Sequence, residues 1–310
     1  MNYLLRLTLS IAIAFTPLAA LAQPATAPPS VTVTPIQGSL YLLQGKGGNV
    51  VASVGGDGIL MIDDDYAEYA AAYHDALKSI AGTAGLPRFV VNTHWHFDHT
   101  GTNAYWGERG SVIIAQTNVY ERLSTRQEMA FFKRVLEPSP RAALPVVTYA
   151  DSLALRFNGD RVDVQHYPSG HTDGDSVVFF TADNVVHMGD HYFKDSFPFV
   201  DLGSGGNVIA YTANVAAVLK RIDDSTIVVP GHGALATRAD LERFHHMLQT
   251  TTALVKSGLD KGLSVEQISA QGLGREWDSG GRGFIDAPTW IGFIAASIPF
   301  ADAAQAAPRP

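Results

Sequence analysis

A cluster of potential metal ligands follows a short apolar run at residues 88–92. The ligands are His94, His96, Asp98 and His99. Alternate residues of an extended strand share a face, so His94 and His96 can point to one side, and the following turn can direct Asp98 and His99 to a second point. Imidazole nitrogens with a carboxylate suit zinc and similar borderline-soft ions. The segment therefore predicts a metal site, with ligands for two neighbouring ions, rather than a histidine-rich surface loop.

Three further potential ligands come later in the chain, each directly after a glycine and a predicted strand. Glycine has no Cβ, so the backbone can turn sharply there and approach a metal closely. Each segment taken alone is compatible with an ordinary turn, but together they supply the ligands that two ions would still lack. They are His171, Asp190 and His232.

The complete ligand set resembles that of the metallo-β-lactamase superfamily, over a range from about Val31 to Ile298. The resemblance implies an α/β fold, an αββα sandwich of two mixed sheets packed face to face with helices outside, and metals at one edge. It also implies the division of the ligands: His94, His96 and His171 at one metal, Asp98, His99 and His232 at the other, and Asp190 as the bridge.

The position of Asp190 decides which branch of this family the chain resembles most. One group of β-lactamases has cysteine there and another has serine, whereas this chain contains no cysteine at all. A bridging aspartate is similar to the pattern of glyoxalase-II-like thioesterases, lactonases and general hydrolases. We therefore expect hydrolysis of an ester, lactone, thioester or amide of a small molecule.

Two alternatives stay open. Weak or ancestral β-lactamase activity is one, because the segment 201–207 resembles the region beyond the cysteine in the first β-lactamase group, and Lys194 follows Asp190 near the spacing of its substrate-binding lysine. A non-catalytic periplasmic metal-binding or relay protein is the other. The complete ligand set disfavours this second alternative.

The expected chemistry is that of two zinc ions, which lower the pKa of bound water and polarise the substrate. Zinc fits a mainly imidazole ligand set, and iron or manganese remain alternatives. Asp98 and Asp190 are the predicted catalytic residues, with Asp98 orienting the proton of the nucleophile. Asp63 is expected either to hold a metal-bound imidazole or to cap the helix that follows it.

Predictions of substrate contacts depend on position in the sequence alone. Lys194, Asn207 and Tyr192 can donate to a substrate carbonyl or carboxylate, and His191 can carry a proton, although a surface or supporting role fits each equally well. The glycine-rich segment 43–48 is either a lid over the site or a plain turn.

Strand and helix signals alternate through one predicted domain, residues 31–300. Two apolar runs joined by Gly55-Gly-Asp-Gly58 predict a hairpin, and helices are predicted at 66–81, where Gly82 ends the helix, and at 117–135. Four short strands and then helices at 208–222, 239–256 and 265–271 follow. Strands and then helices, twice over, predict two packed sheets with helices outside.

The two ends of the chain are expected to lie outside this domain. Residues 1–22 resemble a signal peptide, with an apolar core and Ala20-Leu21-Ala22 as its cleavage motif, which predicts a periplasmic protein without a membrane anchor after cleavage. Disorder is predicted for the leader 23–30 and the tail 301–310. A net charge of −8 without a basic stripe disfavours nucleic acid as a partner and favours a small molecule. The sequence does not predict an oligomeric state.

Overall fold

The computed structural model describes residues 28–82, 84–277 and 283–306. The predicted signal peptide and most of the predicted leader lie outside these residues. Within the described chain, no helix has both the length and the hydropathy needed to cross a membrane.

The first half of the chain forms a seven-stranded mixed sheet with strand order β1-β2-β3-β4-β5-β6-β9. Strands β1 to β4 pair antiparallel, and β4, β5, β6 and β9 pair parallel. The strands are β1 Thr32–Pro35, β2 Leu40–Gln44, β3 Val50–Gly55, β4 Gly58–Ile62, β5 Phe89–Val91, β6 Val112–Gln116 and β9 Val147–Tyr149.

The second half forms a six-stranded sheet in sequence order, β10 to β15, in which only the β13–β14 pair is parallel. Its strands are β10 Ser152–Phe157, β11 Asp160–His166, β12 Ser176–Phe180, β13 Val185–His187, β14 Ile227–Val229 and β15 Ala236–Thr237. A separate two-stranded hairpin precedes this sheet and consists of β7 Gln127–Met129 and β8 Arg134–Leu136.

Eight α-helices and four 3-10 turns connect and cover the strands of the described chain. The helices are α1 Ala70–Ala81, α2 Phe97–Thr100, α3 Asn103–Gly107, α4 Thr117–Ser124, α5 Val208–Leu219, α6 Arg238–Asp260, α7 Val265–Gln271 and α8 Ala287–Ala306. The 3-10 turns are Ala67–Tyr69, Arg141–Ala143, Gly189–His191 and Leu202–Ser204.

Side-chain alternation along the central strands separates an inner core from two outer ones. On β12, Val178 and Phe180 pack between the sheets, while Val177 and Phe179 face the helices of the second half. On β3, Val51 belongs to the inner core and its neighbours face the helices of the first half. Strands β3 and β12 are therefore buried on both faces, and each fully buried apolar side chain contributes about 1.5–3 kcal/mol.

Helices cover the outer face of each sheet. Tyr73 and Leu77 of α1 and Trp106 of α3 pack on the first sheet. Helices α5, α6 and α8 pack on the second, with Trp290 of α8 fully buried among them. The layers are helix, sheet, sheet, helix, which confirms the predicted αββα sandwich.

The structure corrects the helix predicted for residues 117–135. Helix α4 ends at Ser124, because the hydroxyls of Ser124 and Thr125 both donate to the Glu121 carbonyl, local bonds that compete with further helix. The remaining residues form the β7–β8 hairpin, where Met129 is buried against Trp95 and its neighbours.

The C-terminal end also differs from expectation. Helix α8 was not predicted, and it continues to Ala306, into the segment 301–310 predicted as a disordered tail. Residues 307–310 lie outside the described chain.

Candidate metal centre

The seven predicted ligands lie at the ends of strands, on one edge of the sandwich. His94 and His96 follow β5, and α2 carries Asp98 and His99. The other three come from the second sheet: His171 between β11 and β12, Asp190 in the 3-10 turn after β13, and His232 after β14. Both halves of the fold therefore contribute to one site.

The ligands form two adjacent groups, and within each group one ligand atom per residue lies within 4.8 Å of the others. We call them the inner group, which consists of His94, His96, His171 and Asp190, and the outer group, which consists of Asp98, His99 and His232. In the inner group, His171 Nε2 lies 2.8 Å from His96 Nδ1. In the outer group, His99 Nε2 lies 3.3 Å from His232 Nε2.

Asp190 directs a different carboxylate oxygen at each group. Its Oδ2 lies 3.4 Å from His171 Nε2 and 3.9 Å from His94 Nε2. Its Oδ1 lies 3.1 Å from His99 Nε2 and 3.5 Å from His232 Nε2. Gly231 permits this placement, because a Cβ at that position would overlap Asp190 Oδ1. Asp190 thus has the geometry of a bridging ligand.

The arrangement fits a pair of divalent cations. His94 Nε2 is buried and makes no hydrogen bond among the described residues, although it points at the other ligands. The separations given above, from 2.8 to 3.9 Å, lie on both sides of the roughly 3.3 Å expected between nitrogens around a tetrahedral zinc with bonds of about 2.0–2.1 Å. Four carboxylates would balance the charge of two such ions: Asp98 and Asp190 among the ligands, and Asp63 and Asp201, which accept hydrogen bonds from ligand imidazoles.

Four of the five imidazoles are held through the ring nitrogen that faces away from the other ligands, as is usual for metal-ligating histidines. Each of these nitrogens donates a hydrogen bond: His94 Nδ1 to Thr93 Oγ1 at 3.0 Å, His96 Nε2 to Asp201 Oδ2 at 3.0 Å, His171 Nδ1 to the Phe199 carbonyl at 2.7 Å, and His99 Nδ1 to Asp63 Oδ2 at 2.8 Å. Their orientation is therefore set by the protein.

Asp63 supports both groups. It is fully buried and accepts hydrogen bonds from His99 Nδ1 and from the amide and hydroxyl of Thr93. Thr93 in turn accepts from His94, so one carboxylate orients a ligand in each group. Of its two possible roles, the structure selects support of an imidazole over helix capping. Asp201, which holds His96, was not recognised as a partner from the sequence, because its contact spans 105 positions.

Burial and neighbouring charges shift the pKa values of the ligands in opposite directions. Burial lowers the pKa of His171 to about 4 and also lowers that of His94, so both are neutral, as metal binding requires. Burial acts on His232 in the same sense, but Asp190 and Asp98 outweigh it and raise its pKa to about 9. The outer group therefore favours a positive charge, because either a proton on His232 or a bound metal ion stabilises the carboxylates of Asp98 and Asp190.

The structure brings one of the four predicted substrate contacts to the cavity over the metal centre. Lys194 lines it, but Nζ donates to the Leu235 carbonyl at 2.9 Å and lies 3.5 Å from Asp240, so the ammonium is already engaged. The other three do not line this cavity. Tyr192 packs on Phe244, His191 accepts from Asn214 and stacks on Tyr211, and Asn207 caps α5. All three are at most 4% exposed, so the structure does not bring them to this cavity.

The glycine-rich segment before Asn49 is anchored beside α2. The amides of Lys46 and Gly47 donate to the Asp65 carboxylate at 2.9 and 2.8 Å, and Gly48 donates to the Asp98 carbonyl. Gly48 packs so closely on His99 that a Cβ would overlap the imidazole. These contacts favour the fixed turn over the lid.

A cavity of about 370 Å³ opens directly over the ligands. Its floor contains His96, Asp98, Asp190 and His232, and its walls are largely aromatic. The wall residues are Tyr66, Phe97, Met129, Phe132, Phe193, Lys194, Ser196, Phe199, Gly233 and Phe284. The volume lies at the lower end of the range for small-molecule sites.

The fold and the ligands define a metal-binding αββα protein whose two ligand groups share a carboxylate. The family model for the metallo-β-lactamase superfamily matches residues 33–232. The chain belongs to the metallo-β-lactamase superfamily, as its ligand pattern predicted, and this family consists mostly of metal-dependent hydrolases.

Individual similarities are more distant. The chain is 22% identical over 248 residues to the 2,4-dinitroanisole O-demethylase subunit alpha of Nocardioides sp. (strain JS1661), covering 78% of this chain and 69% of the relative. It is 37% identical over 176 residues to an uncharacterized protein of Mycobacterium leprae, covering 53% and 77%.

Solved structures show the same fold. The metallo-β-lactamase DIM-1 superimposes with a TM-score of 0.58 at 17% identity, covering 72% of this chain and 98% of that one. A metallo-β-lactamase from Pontibacter korlensis gives the same score and identity, covering 71% and 99%.

Proposed function

We propose that this protein is an exported binuclear zinc hydrolase that cleaves an ester, lactone, thioester or amide of a small molecule. The observation that carries the proposal is the pair of ligand groups that share Asp190 through separate oxygens, on the floor of a cavity. A single structural ion would not need a second ligand group open to a cavity.

When bound, two divalent ions supply an acidified water molecule and polarisation of the bond under attack. The chain contributes positioning and charge. Asp98 lines the cavity, and although burial opposes ionisation, His99 and His232 hold its pKa at about 2, so the carboxylate is available to orient the proton of the attacking water. Asp190 keeps the two groups at a fixed separation.

In the proposed reaction, the water oxygen forms a bond to the acyl carbon and the acyl bond to oxygen, sulfur or nitrogen breaks. The leaving group takes up a proton that the water has lost, so the products are an acid and an alcohol, thiol or amine. The protein is unchanged, and no oxidant or reductant is required.

Export rests on the N-terminal sequence alone. An apolar segment followed by an A-x-A motif supports cleavage after Ala22 and delivery to a periplasm. Mass spectrometry of the protein recovered from a periplasmic fraction tests this. A mature N-terminus at Gln23 is expected, and an intact Met1 in the cytoplasmic fraction would refute export.

The bond cleaved is tested with a substrate panel on zinc-loaded protein: an acyl lactone, a glutathione thioester, a simple ester, a penicillin and a carbapenem. We expect the lactone or an ester to be turned over fastest, and we expect a chelator to abolish the activity and zinc to restore it. Equal or faster carbapenem turnover would favour the β-lactamase alternative. If no member of the panel is turned over by protein with two bound ions, the metal-binding or relay alternative is favoured.

A second candidate bond deserves inclusion in the panel, the alkyl ether of an aromatic ring. The relative from Nocardioides is described as acting on 2,4-dinitroanisole, and the cavity here has aromatic walls. Hydrolysis of that compound by water to 2,4-dinitrophenolate and methanol, faster with the zinc-loaded protein than with the metal-free protein, is the outcome that would favour it.

A further inference from the structure

One wall of the cavity is a cluster of phenylalanines drawn from distant parts of the chain. We call Phe97, Phe132, Phe199 and Phe284 the aromatic wall; all four line the cavity over the ligands. They come from α2, the β7–β8 hairpin, the segment before the 3-10 turn at Leu202, and the segment before α8. Such a convergence is not produced by any one amphipathic element.

Phe132 is the centre of the aromatic wall. Its ring centroid lies 5.8 Å from Phe97, 5.2 Å from Phe199 and 5.8 Å from Phe284, with Phe284 nearly parallel at 7°. These are the distances at which aromatic pairs attract. A flat ring can extend such a cluster without displacing any member.

The hairpin that carries Phe132 is held in place over the ligands. Arg134 lies over the Phe97 ring at 4.6 Å, and Arg122 donates to Gln127 at 3.0 Å. Met129 is 3% exposed, and the Phe132 amide donates to its carbonyl. A two-stranded hairpin is only marginally stable alone, so these contacts fix the position of the aromatic wall.

Charge in the cavity favours a neutral ligand. Apart from histidines, Lys194 is the only basic residue among the described residues that line it, and its ammonium is engaged by Leu235 and Asp240. Asp63, Asp98, Asp190 and Asp201 offset the four positive charges that two divalent ions would bring. A loaded site of this composition has little net attraction for a substrate carboxylate.

We propose that the substrate is an uncharged molecule with an aromatic ring adjacent to the bond that is cleaved, and that Phe132 and Phe284 are the residues that select it. This inference rests on the proposed hydrolytic function. The ring packs against the aromatic wall, and the scissile bond then lies over Asp98 and Asp190.

The test uses zinc-loaded protein and three ethyl esters: ethyl phenylacetate, ethyl acetate and ethyl 4-carboxyphenylacetate. Hydrolysis of each ester is monitored by the release of protons. We expect kcat/KM for ethyl phenylacetate to exceed that for ethyl acetate by about 100-fold and that for the carboxylated ester by at least about 10-fold, which are ordinary specificities for apolar groups. Equal values for the three esters, or a preference for either of the other two, would overturn the proposal.

Two variants assign the selection to the aromatic wall. Phe284→Ala removes a ring that is 65% exposed, so folding should be retained. We expect it to lower kcat/KM for ethyl phenylacetate about 10-fold and to change that for ethyl acetate less than about 2-fold. Phe132→Leu keeps apolar volume without the ring and should act in the same direction. Val146→Ala, at an exposed position outside the cavity lining, is the control.

Equal loss on both esters in Phe284→Ala and Phe132→Leu would show that the aromatic wall has only a structural role, and the proposal would fail while hydrolysis stands. Absence of chelator-sensitive turnover of every ester, including the substrate panel above, would instead refute the hydrolytic function. The two failures are therefore separable.

Discussion

The inner and outer ligand groups differ in how far the protein encloses them. The side chains of His94, His96 and His171 are at most 5% exposed. In the outer group, His99 is fully buried, but Asp98 is 18% and His232 31% exposed, and both line the cavity. The inner group is thus the more deeply buried, although His96 and Asp190 reach the cavity floor, whereas the more exposed Asp98 and His232 of the outer group form a larger part of the surface that a substrate meets.

Support of the imidazoles separates His232 from the others, because His99 of the outer group donates to Asp63 in the same way as the inner histidines donate to their partners. Every inner histidine donates a hydrogen bond from the ring nitrogen that faces away from the ligands, and the acceptors are Thr93, Asp201 and the Phe199 carbonyl. His232 is held instead by stacking on Phe193, at 5.1 Å and 16°. If two ions bind as proposed, we infer that the inner group would hold its ion more tightly and that the ion at the outer group would exchange more readily.

The largest expected effect belongs to the residue shared by both groups. Asp190→Asn keeps the size of the side chain but removes the charge that faces both groups. We expect fewer than one zinc per chain after dialysis and a fall in kcat/KM of more than about 100-fold, beyond the range for loss of a supporting residue. Elemental analysis and ester kinetics measure the two. Asp151→Asn, at an exposed position, is the control; wild-type metal content in Asp190→Asn would remove this residue from the site.

Loss of one histidine from each group tests the difference between the groups directly. We expect His232→Ala to retain about one zinc per chain, in the inner group, whereas His171→Ala should also lose the ion that the inner group holds. Metal content after dialysis against a weak chelator separates the two variants, and exposed His246→Ala should retain both ions. The opposite order, with His171→Ala keeping the more tightly held ion, would reverse our assignment.

The features of the site that could be predicted are those that depend on residues close together in the sequence. The ligands were recognisable because their spacing after predicted strands is local, and because the chemistry allows few residue types. The structure brings all seven into the two groups. The family and the αββα sandwich were also predicted correctly.

Features that depend on tertiary contacts were not accessible in this way. Asp201 reaches His96 across 105 positions, and Phe132 and Phe284 meet across a larger separation. Residues 127–136 have a helix-compatible composition, yet form the hairpin because packing of Met129 and its neighbours decides the conformation. Tyr192, His191 and Asn207 were placed by sequence proximity to ligands, which does not indicate the direction of a side chain.

Substitution of the carboxylates that support the imidazoles should lower zinc affinity by an intermediate amount, and the two carboxylates should differ in how many ligand groups they affect. Asp201→Asn alters the partner of His96 alone, so we expect zinc affinity to fall about 10–100-fold at the inner group only. Asp63→Asn acts on His99 directly and on His94 through Thr93, so affinity should fall at both groups. Competition with a chromophoric chelator resolves the two binding steps. A two-step loss in Asp201→Asn would contradict the separation of the groups.

The smallest effect is expected at Lys194, on the rim of the outer group. Lys194→Met retains the apolar stem that lines the cavity but removes the ammonium bound to Leu235 and Asp240. Both charged side chains are partly exposed, so the free energy of unfolding should fall by no more than about 1 kcal/mol. Since the ammonium contacts Leu235 and Asp240 and not the ligands, kcat/KM for a neutral ester should change less than about 2-fold, as expected for a charge with a weak electrostatic contribution. Denaturant unfolding and ester kinetics check both values. A large fall confined to a carboxylate-bearing substrate would mean that Lys194 leaves Asp240 to bind it, and the outer rim would then select charge rather than an aromatic ring.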